Sequence, residues 1–261
     1  MFTLFLLLFS LPLSANINHP KKIDQAFNKG SPVCFLVKRL SDNKLFSHNS
    51  HLCRRKFPPF STYKILHSLI ALETGVIDGK KTVIAWDGKK KFIKTWERDH
   101  NIVSAIKHSV VPFYQEVARR IGNKRMMIHL KKVGYGNQEI GKKIDRFWLD
   151  GPLAISAYEQ LDFVEKLYRN KLPFSLKNQK FVQDILVLSQ NQSRILSGKT
   201  GSQYRDGSFQ FGWLVGHIRQ KNEEYVFVIN SKGKGQAGHK LKKVVLAIFD
   251  QLDFQKLVNK K

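Results

Sequence analysis

The fold and a candidate site are indicated first by the stretch Pro58-Pro59-Phe60-Ser61-Thr62-Tyr63-Lys64-Ile65-Leu66-His67-Ser68-Leu69-Ile70-Ala71-Leu72. The two prolines disfavour helix before Ser61, and the apolar residues after it have helical spacing. The sequence therefore predicts a helix that opens at Ser61 and stops near Gly75. Ser61 and Lys64 are three residues apart and share one face of that helix. A hydroxyl beside an amine at a helix N-terminus, where negative charge is favoured, is typical of nucleophilic catalysis.

A serine and a lysine at this spacing occur four times in the sequence, so the pair alone does not identify an active site. The alternative is a serine that caps a helix beside a solvated lysine. Lys199-Thr200-Gly201 favours the catalytic interpretation, because this triplet is far rarer by chance. A strand with a cation, a hydroxyl and a glycine can lie flat against a substrate and offer backbone N–H groups to an oxyanion. An ordinary edge strand is the alternative.

Length and composition predict one domain after a short N-terminal leader. The chain has 261 residues, 42% hydrophobic and 25% charged, which is enough for a single packed core over 16–261. Residues 1–15 are uncharged, rich in Leu and Phe, and end in Leu13-Ser14-Ala15, as in a secretory signal peptide. This segment is too short for a transmembrane helix. We therefore expect an exported protein, periplasmic or secreted, without a membrane anchor.

The two cysteines, Cys34 and Cys53, flank the turn-like sequence Ser41-Asp42-Asn43-Lys44. A hairpin centred between Asn43 and Lys44 would place position 34 opposite position 53. In an oxidising compartment this pairing could close a disulfide, and two buried free thiols are the alternative.

The net charge of +25 would suit a protein that binds nucleic acid or an anionic surface. The lysines are nevertheless scattered along the chain, and their longest run is Lys89-Lys90-Lys91. No RNA-binding motif or zinc-ligand spacing occurs, and His100, His108 and His217 are interpreted as structural or exposed. The scattered charge therefore predicts a solvated basic surface and no nucleic-acid partner. The absence of metal-ligand spacing predicts no metal site.

Helical spacing predominates in the middle of the chain, between about 100 and 190. The residues that indicate helix ends there are Pro112, Gly122, Gly134, the capping pair Ser156 and Glu159, and Ser175 at the start of a helix to Leu188.

Strand character precedes and follows this helical part. The predicted strands are 32–39, 45–52, 209–218 and 224–229, and a closing helix covers 240–252. Strands at both ends predict an α+β fold, in which helices flank an antiparallel sheet and an all-helical subdomain is inserted at about 80–190. The cleft between sheet and insertion is the expected site.

Several further segments occur in an order that resembles the class D (oxacillinase-type) β-lactamases, serine enzymes related to penicillin-binding proteins. They are His67–Ile77, Trp86-Asp87-Gly88, Asp99-His100, Ser104-Ala105-Ile106, Ser109-Val110-Val111, Tyr114-Gln115-Glu116, Tyr135-Gly136-Asn137, Phe147–Gly151 and Phe211-Gly212-Trp213. The resemblance covers about 55–230 and implies the β-lactamase/transpeptidase-like fold.

The resemblance implies that Ser61 is the nucleophile acylated by the lactam carbonyl. Lys64 would be carboxylated by carbon dioxide to N6-carboxylysine and act as general base in acylation and deacylation. Carboxylation requires a neutral amine, so Lys64 must be desolvated enough to lower its pKa. Val111, Trp148 and Leu149 would surround the carbamate, and the Trp148 indole N–H would donate to it. Core packing is the alternative for Trp148.

The resemblance also implies which groups contact the substrate. Ser109 would relay a proton between Ser61, Lys199 and the leaving nitrogen, and the backbone N–H groups of Ser61 and Ser202 would form the oxyanion hole. The residues expected to bind the substrate, with Lys199 and Thr200 at its carboxylate, are Lys199, Thr200, Gly201, Ser202 and Lys240.

Two positions depart from the family pattern. Tyr63 stands where Phe is usual and adds a hydroxyl that needs a partner if it is buried. Lys240 lies in the stretch where the family often has an Arg that grips the substrate carboxylate, so it would replace that Arg as a point charge, with Arg205 as the other candidate. Tyr135-Gly136-Asn137 receives no catalytic role, because a tight turn explains it equally well.

We therefore predict an exported serine β-lactamase that hydrolyses penicillin-type antibiotics through an acyl-enzyme. No metal or organic cofactor is implied beyond the carbon dioxide on Lys64. The first alternative is a transpeptidase-like protein or β-lactam sensor that deacylates slowly. The second is a basic exported binding protein without turnover. The substrate range and the oligomeric state stay open.

Overall fold

The computed structural model describes residues 32–220 and 222–251, and the predicted signal peptide lies outside them. The strands are β1 (Val33–Arg39), β2 (Leu45–His48), β3 (Val83–Ile84), β4 (His100–Asn101), β5 (Val187–Gln190), β6 (Arg194–Arg205), β7 (Ser208–Gln220) and β8 (Glu223–Lys232). Six of them form an antiparallel sheet in the order β2-β1-β8-β7-β6-β5, and β3 pairs separately with β4.

Helices cover both faces of the large sheet. They are α1 (Ser50–Cys53), α2 (Lys64–Glu73), α3 (Ile102–Lys107), α4 (Val111–Val133), α5 (Ala157–Tyr168), α6 (Leu176–Ile185) and α7 (Gly238–Gln251), with 3₁₀ turns at Phe60–Tyr63 and Lys94–Trp96. The predicted α+β class is confirmed. Within the described ranges, no helix is both long and apolar enough to cross a membrane.

The side chains of β1 alternate between two hydrophobic clusters, as the twofold period of a strand requires. Cys34 and Leu36 belong to the larger cluster, which the sheet forms with α2 to α6. Phe35 and Val37 belong to the smaller cluster, where α7 contributes residues such as Val245. The central strands of the sheet are therefore buried on both faces.

The helix ends follow the signals in the sequence. Ser156 and Glu159 form a reciprocal capping box at the start of α5, and Ser175 caps α6. Pro112 lies in the first turn of α4. This helix is interrupted at Gly122 (φ 77°) and ends before Gly134 (φ 69°), where positive φ favours glycine. These predictions are confirmed.

Two predicted elements end three or more residues earlier than expected. The strand predicted over 45–52 stops at His48, because Asn49 turns the chain (φ 56°) and its side chain accepts from the Leu52 N–H to begin α1. The helix predicted from Ser175 to Leu188 ends at Ile185. The residues after it form β5, whose backbone pairs with the first half of β6.

A disulfide joins Cys34 to Cys53, with 5.2 Å between their Cα atoms. The predicted hairpin register was wrong, since Phe35 pairs with His48 and Cys53 lies beyond the strand, on α1. The turn of chain at Asn49 brings Cys53 back against β1, so the bridge fastens a helix to the sheet.

Candidate active site

Ser61 lies in the 3₁₀ turn Phe60–Tyr63, and α2 begins only at Lys64. The predicted α-helix opening at Ser61 is therefore wrong by three residues. The face is unchanged, because residues three apart eclipse each other in a 3₁₀ turn. The Lys64 Nζ lies 2.6 Å from the Ser61 Oγ.

The 3₁₀ turn is held against the sheet by a glycine and an indole. A side-chain carbon at Gly201 on β6 would lie 2.8 Å from the Pro59 carbonyl oxygen and 3.2 Å from the Thr62 nitrogen. Glycine therefore permits the strand to approach the backbone of the turn. The Trp213 indole on β7 donates to the Pro58 carbonyl at 3.0 Å. Strand β6 and the 3₁₀ turn that carries Ser61 therefore pack directly against each other.

Four side chains from three parts of the chain form a continuous polar line. The Lys64 Nζ, 2.6 Å from Ser61, also lies 3.3 Å from the Ser109 Oγ. The Lys199 Nζ lies 3.1 Å from the same Ser109 Oγ and 3.1 Å from the Thr200 carbonyl oxygen. The 3₁₀ turn with the α2 helix that follows it, the connection before α4 and strand β6 thus bring together the four residues predicted to be catalytic.

Both lysines of this line have a lowered pKa. Lys64 is fully buried, and burial followed by the nearby Lys199 lowers its pKa well below 10.5. Burial lowers the pKa of Lys199 to about 7. Their hydrogen bonds go to hydroxyl and carbonyl oxygens. A neutral Lys64 can accept the proton of Ser61, which a protonated lysine cannot do.

Aromatic rings cluster beside the Lys64 side chain, and the rings of Tyr63, His67, Tyr114 and Trp148 are here called the aromatic cage. Its Nζ lies 5.5 Å from the centre of the Tyr114 ring. The Tyr63 ring stacks on Trp148 at 5.7 Å, and the His67 ring meets Trp148 at 5.2 Å. Burial, and then Lys64, lowers the pKa of His67 to about 3, so that ring carries no charge at neutral pH. The cage therefore carries no charge.

The Trp148 indole Nε1–H is buried and has no hydrogen-bond partner within the described structure. An orphaned buried donor is costly, and an acceptor group beside it would satisfy it. A carboxyl group added to the neutral Lys64 amine would have such acceptor oxygens, and the residues present fit it. Val111 begins α4 two residues after Ser109, and Leu149 follows Trp148; both are partly exposed.

The hydroxyl of Tyr63, the departure from the family pattern, has a partner. The ring is fully buried, and the hydroxyl donates to the Met126 thioether sulfur at 3.0 Å. Sulfur is a weak acceptor, and burial raises the pKa of Tyr63 well above 10. The Tyr63 side chain is therefore uncharged and forms one side of the cage.

Strand β6 and the start of α7 form the other side of the site. The Ser202 hydroxyl accepts from the Gly238 N–H at 2.9 Å, and a side-chain carbon on Gly238 would lie 2.6 Å from the Gly201 carbonyl oxygen. A cavity of about 300 Å³ adjoins Lys199 and Thr200 and is walled by α3, the end of α6 and β5. Two of the strand residues predicted to bind substrate, Lys199 and Thr200, therefore border open space.

The two candidates for a second carboxylate-binding cation lie outside the polar line. Lys240 is exposed, and its Nζ donates to the Gly235 carbonyl at 2.9 Å. Arg205 is exposed at the end of β6, where its Nε lies 3.6 Å from an Asp206 carboxylate oxygen.

Other polar residues singled out in the sequence have structural contacts. Gly136 (φ 59°) would carry a side-chain carbon 2.3 Å from the Ala154 carbonyl oxygen, and the Tyr135 hydroxyl donates to Gln160. His100 bonds to Ser104 and the Thr95 carbonyl. Within the described ranges, no three His, Cys, Asp or Glu side chains form a group that could hold a metal ion.

Sequence reasoning missed three residues around the site. Tyr114 and His67 line the cage, and Gln160 donates to the Thr62 hydroxyl at 2.8 Å beneath the nucleophile turn. His67 lies three residues after Lys64, a helical spacing that could have identified it. Tyr114 belongs to a segment that carries the family resemblance, but Tyr114 and Gln160 lie on other helices, so no local spacing places them at the site.

The comparisons with known proteins agree with this geometry. Residues 18–250 match the family model of the penicillin binding protein transpeptidase domain. The chain is 43% identical over 185 residues to β-lactamase OXA-48 of Klebsiella pneumoniae, covering 71% of this chain and 69% of that protein.

Two solved structures show the same fold. The class D β-lactamase FUS-1 (OXA-85) of Fusobacterium nucleatum subsp. polymorphum has a TM-score of 0.82 at 36% identity, covering 93% of this chain and 100% of that one. The C-terminal domain of the Bacillus licheniformis BlaR penicillin-receptor has a TM-score of 0.82 at 31% identity, covering 88% and 94%. Its fold and sequence place the protein in the class D β-lactamase family of penicillin-binding serine proteins.

Proposed function

We propose that the protein hydrolyses the β-lactam ring of penicillin-type antibiotics through an acyl-enzyme on Ser61. The observation that carries this proposal is the buried Lys64 amine, 2.6 Å from the Ser61 Oγ, with a pKa far below its usual value. A base of this kind activates a serine hydroxyl without a histidine.

In acylation, the Ser61 Oγ bonds to the lactam carbonyl carbon while its proton passes to the Lys64 side chain. The bond from that carbon to the lactam nitrogen breaks, and Ser109 delivers its hydroxyl proton to the nitrogen while it takes one back from the Lys64 side chain. Ser109 suits this role because its Oγ lies within 3.3 Å of both lysine amines. The backbone N–H groups of Ser61 and Ser202 stabilise the oxyanion, each by about 3 kcal/mol.

We further propose that carbon dioxide carboxylates Lys64. This group supplies a base for the serine and for the water that releases the acyl chain. Trp148 would hold it through the indole N–H that otherwise has no partner, and Val111 and Leu149 would limit access of water. The neutral state of the Lys64 amine favours this reaction, because only an unprotonated amine attacks carbon dioxide.

The substrate carboxylate is proposed to bind at Lys199 and Thr200, with Gly201 and Ser202 aligned along the substrate. Lys240 adds a second cation at the start of α7, two residues beyond the Gly238 that touches β6. To reach the substrate it must exchange its hydrogen bond with the Gly235 carbonyl for the carboxylate.

The protein is proposed to act outside the cytoplasm, after removal of residues 1–15. The disulfide between Cys34 and Cys53 supports this, because such bonds persist in oxidising compartments. N-terminal sequencing of the periplasmic or secreted protein tests it, and a retained Met1 would contradict it.

A penicillin sensor that deacylates slowly is the second candidate, favoured by the similarity to the BlaR receptor domain. Both candidates acylate Ser61, so only turnover separates them. A chromogenic cephalosporin assay with and without bicarbonate decides: continuing hydrolysis that bicarbonate increases supports the β-lactamase. One burst per enzyme molecule without turnover would identify the sensor. The Ser61→Ala variant is the control and should show neither.

A further inference from the structure

Ser109 holds its hydroxyl between the two lysines in an unfavourable backbone conformation. Its φ is 54°, in the left-handed region that side chains other than glycine rarely adopt. Such a conformation persists only where the surroundings determine it. On one side α3 provides support, since the Ser109 N–H donates to Ile106 and the Val110 N–H to Ala105, at 3.3 and 2.9 Å.

The other support comes from the segment that precedes β4. The Trp96 indole N–H donates to the carbonyl oxygen of His108, the residue before Ser109, at 3.0 Å. That carbonyl belongs to the peptide whose rotation sets the φ of Ser109. Trp96 ends a 3₁₀ turn and packs on the large hydrophobic cluster, so its indole is a firm donor.

Arg98 makes a second contact to the same residue. Its Nη2 lies 3.0 Å from the His108 Nε2. A guanidinium group only donates, so the Nε2 accepts and the His108 ring is neutral. Backbone and side chain of His108 are therefore both held by the segment 94–98.

We propose that Trp96 and Arg98 are positioning residues for Ser109, acting through His108 to keep the Ser109 hydroxyl between Lys64 and Lys199. This proposal rests on the proposed function, in which Ser109 passes the proton to the leaving nitrogen. Neither residue needs to touch the substrate for this role. The segment 94–98 then influences proton transfer by holding Ser109 in position, without needing to contact the substrate.

A double-mutant cycle on acylation tests the proposal. The variants are Trp96→Phe, which keeps a ring but loses the N–H, Ser109→Ala, and their combination. Trp86→Phe is the matched control, because that indole donates to the Lys89 carbonyl in an exposed loop. Single-turnover acylation by a chromogenic cephalosporin gives the rate constants, and thermal unfolding establishes that each variant is folded.

Trp96→Phe should slow acylation roughly 10-fold to 100-fold with Ser109 present, because a small misplacement of a catalytic group has this effect. In the Ser109→Ala background it should change the rate less than about 2-fold, since the residue it positions is gone. Trp86→Phe should have no effect. Arg98→Gln, measured in the same cycle, gives a second route should Trp96→Phe not fold.

Equal slowing in both backgrounds would overturn the proposal, because Trp96 would then act independently of Ser109. Unchanged acylation in Trp96→Phe would overturn it as well. These results differ from a failure of the proposed function, in which the unmodified protein itself would form no acyl-enzyme.

Discussion

Lys64 combines complete burial with an ionisable amine, two properties that are rarely found together. A buried charge without a carboxylate partner is costly, so the amine loses its proton instead. Its neighbours are hydroxyls, aromatic rings and the neutral His67. The amine lies within hydrogen-bond distance of Ser61, and its lowered pKa derives mainly from burial.

Replacing Lys64 with methionine separates stability from catalysis. The folded-state pKa of Lys64 is lower than the unfolded value of 10.5, so below that pH the unfolded state binds more protons and the buried lysine destabilises the fold. Lys64→Met should therefore raise the unfolding temperature at neutral pH, and the gain should shrink as the pH approaches 10.5. Hydrolysis should fall at least about 10³-fold. A variant that hydrolyses normally would remove Lys64 from the mechanism.

The Trp148 indole N–H is the predicted determinant of deacylation. Trp148→Phe keeps the aromatic packing and removes the donor, so it should slow release of the acyl chain roughly 10-fold, as expected for loss of a hydrogen bond to a charged group. The acyl-enzyme should then accumulate, and more bicarbonate should be needed for half-maximal activity. Trp86→Phe is the control. Unchanged deacylation and bicarbonate dependence would limit Trp148 to core packing.

The candidate catalytic residues could be predicted from the sequence where they lie close together along the chain. Ser61 and Lys64 lie three apart, and Lys199-Thr200-Gly201 is contiguous, so sequence spacing fixes their geometry. Tyr114 enters the cage from α4, and its position depends on tertiary packing that no spacing encodes. The same reason explains why the support of Ser109 by Trp96 was not predicted.

At the scale of elements, the contact between β6 and the nucleophile turn determines the geometry of the site. Gly201 permits this contact, and the neighbouring Pro59 and Thr62 atoms belong largely to the backbone, which cannot move cheaply. Gly201→Ala should therefore destabilise the fold by about 1–3 kcal/mol. It should also slow acylation about 10-fold, since the strand moves away from Ser61. Wild-type rates in a folded Gly201→Ala variant would show that the contact has no role in catalysis.

The elements themselves were predicted best where capping signals are strong, as at Ser156 and Ser175. The failures involve competing pairings. β5 continues the apolar run of α6, and only the presence of β6 beside it makes it a strand. Likewise, Cys53 meets Cys34 through a helix because Asn49 ends β2. A correct pairing of cysteines therefore followed from an incorrect register.

At the scale of the whole molecule, the net charge of +25 should attract anionic substrates. Exposed cations lie near the site: Lys107 borders the cavity beside Lys199, and Lys240 is on the first turn of α7. Because salt screens such charges over a Debye length of about 10 Å at 0.1 M and about 3 Å at 1 M, the attraction should weaken with ionic strength.

We expect kcat/KM for a lactam with two carboxylates, relative to that for a zwitterionic lactam, to fall about 5-fold between low and high salt. The ratio cancels any effect of salt on the enzyme itself. The double variant Lys107→Gln with Lys240→Gln should reduce the salt dependence of this ratio. The control double variant, Lys131→Gln with Lys132→Gln, removes the same charge at the far end of α4 and should change the salt dependence less. A constant ratio would show that the charge does not steer substrates.

The central claim, that Ser61 is acylated and then released with Lys64 as base, is tested most directly by quenched-flow mass spectrometry of the intact protein with penicillin. We expect a mass increase equal to one penicillin to appear on the protein within a turnover, to disappear as hydrolysed penicillin accumulates, and to be absent from Ser61→Ala. In Lys64→Met this adduct should form far more slowly. Penicillin that is hydrolysed without any adduct, or that stays intact with an unmodified protein, would contradict the account.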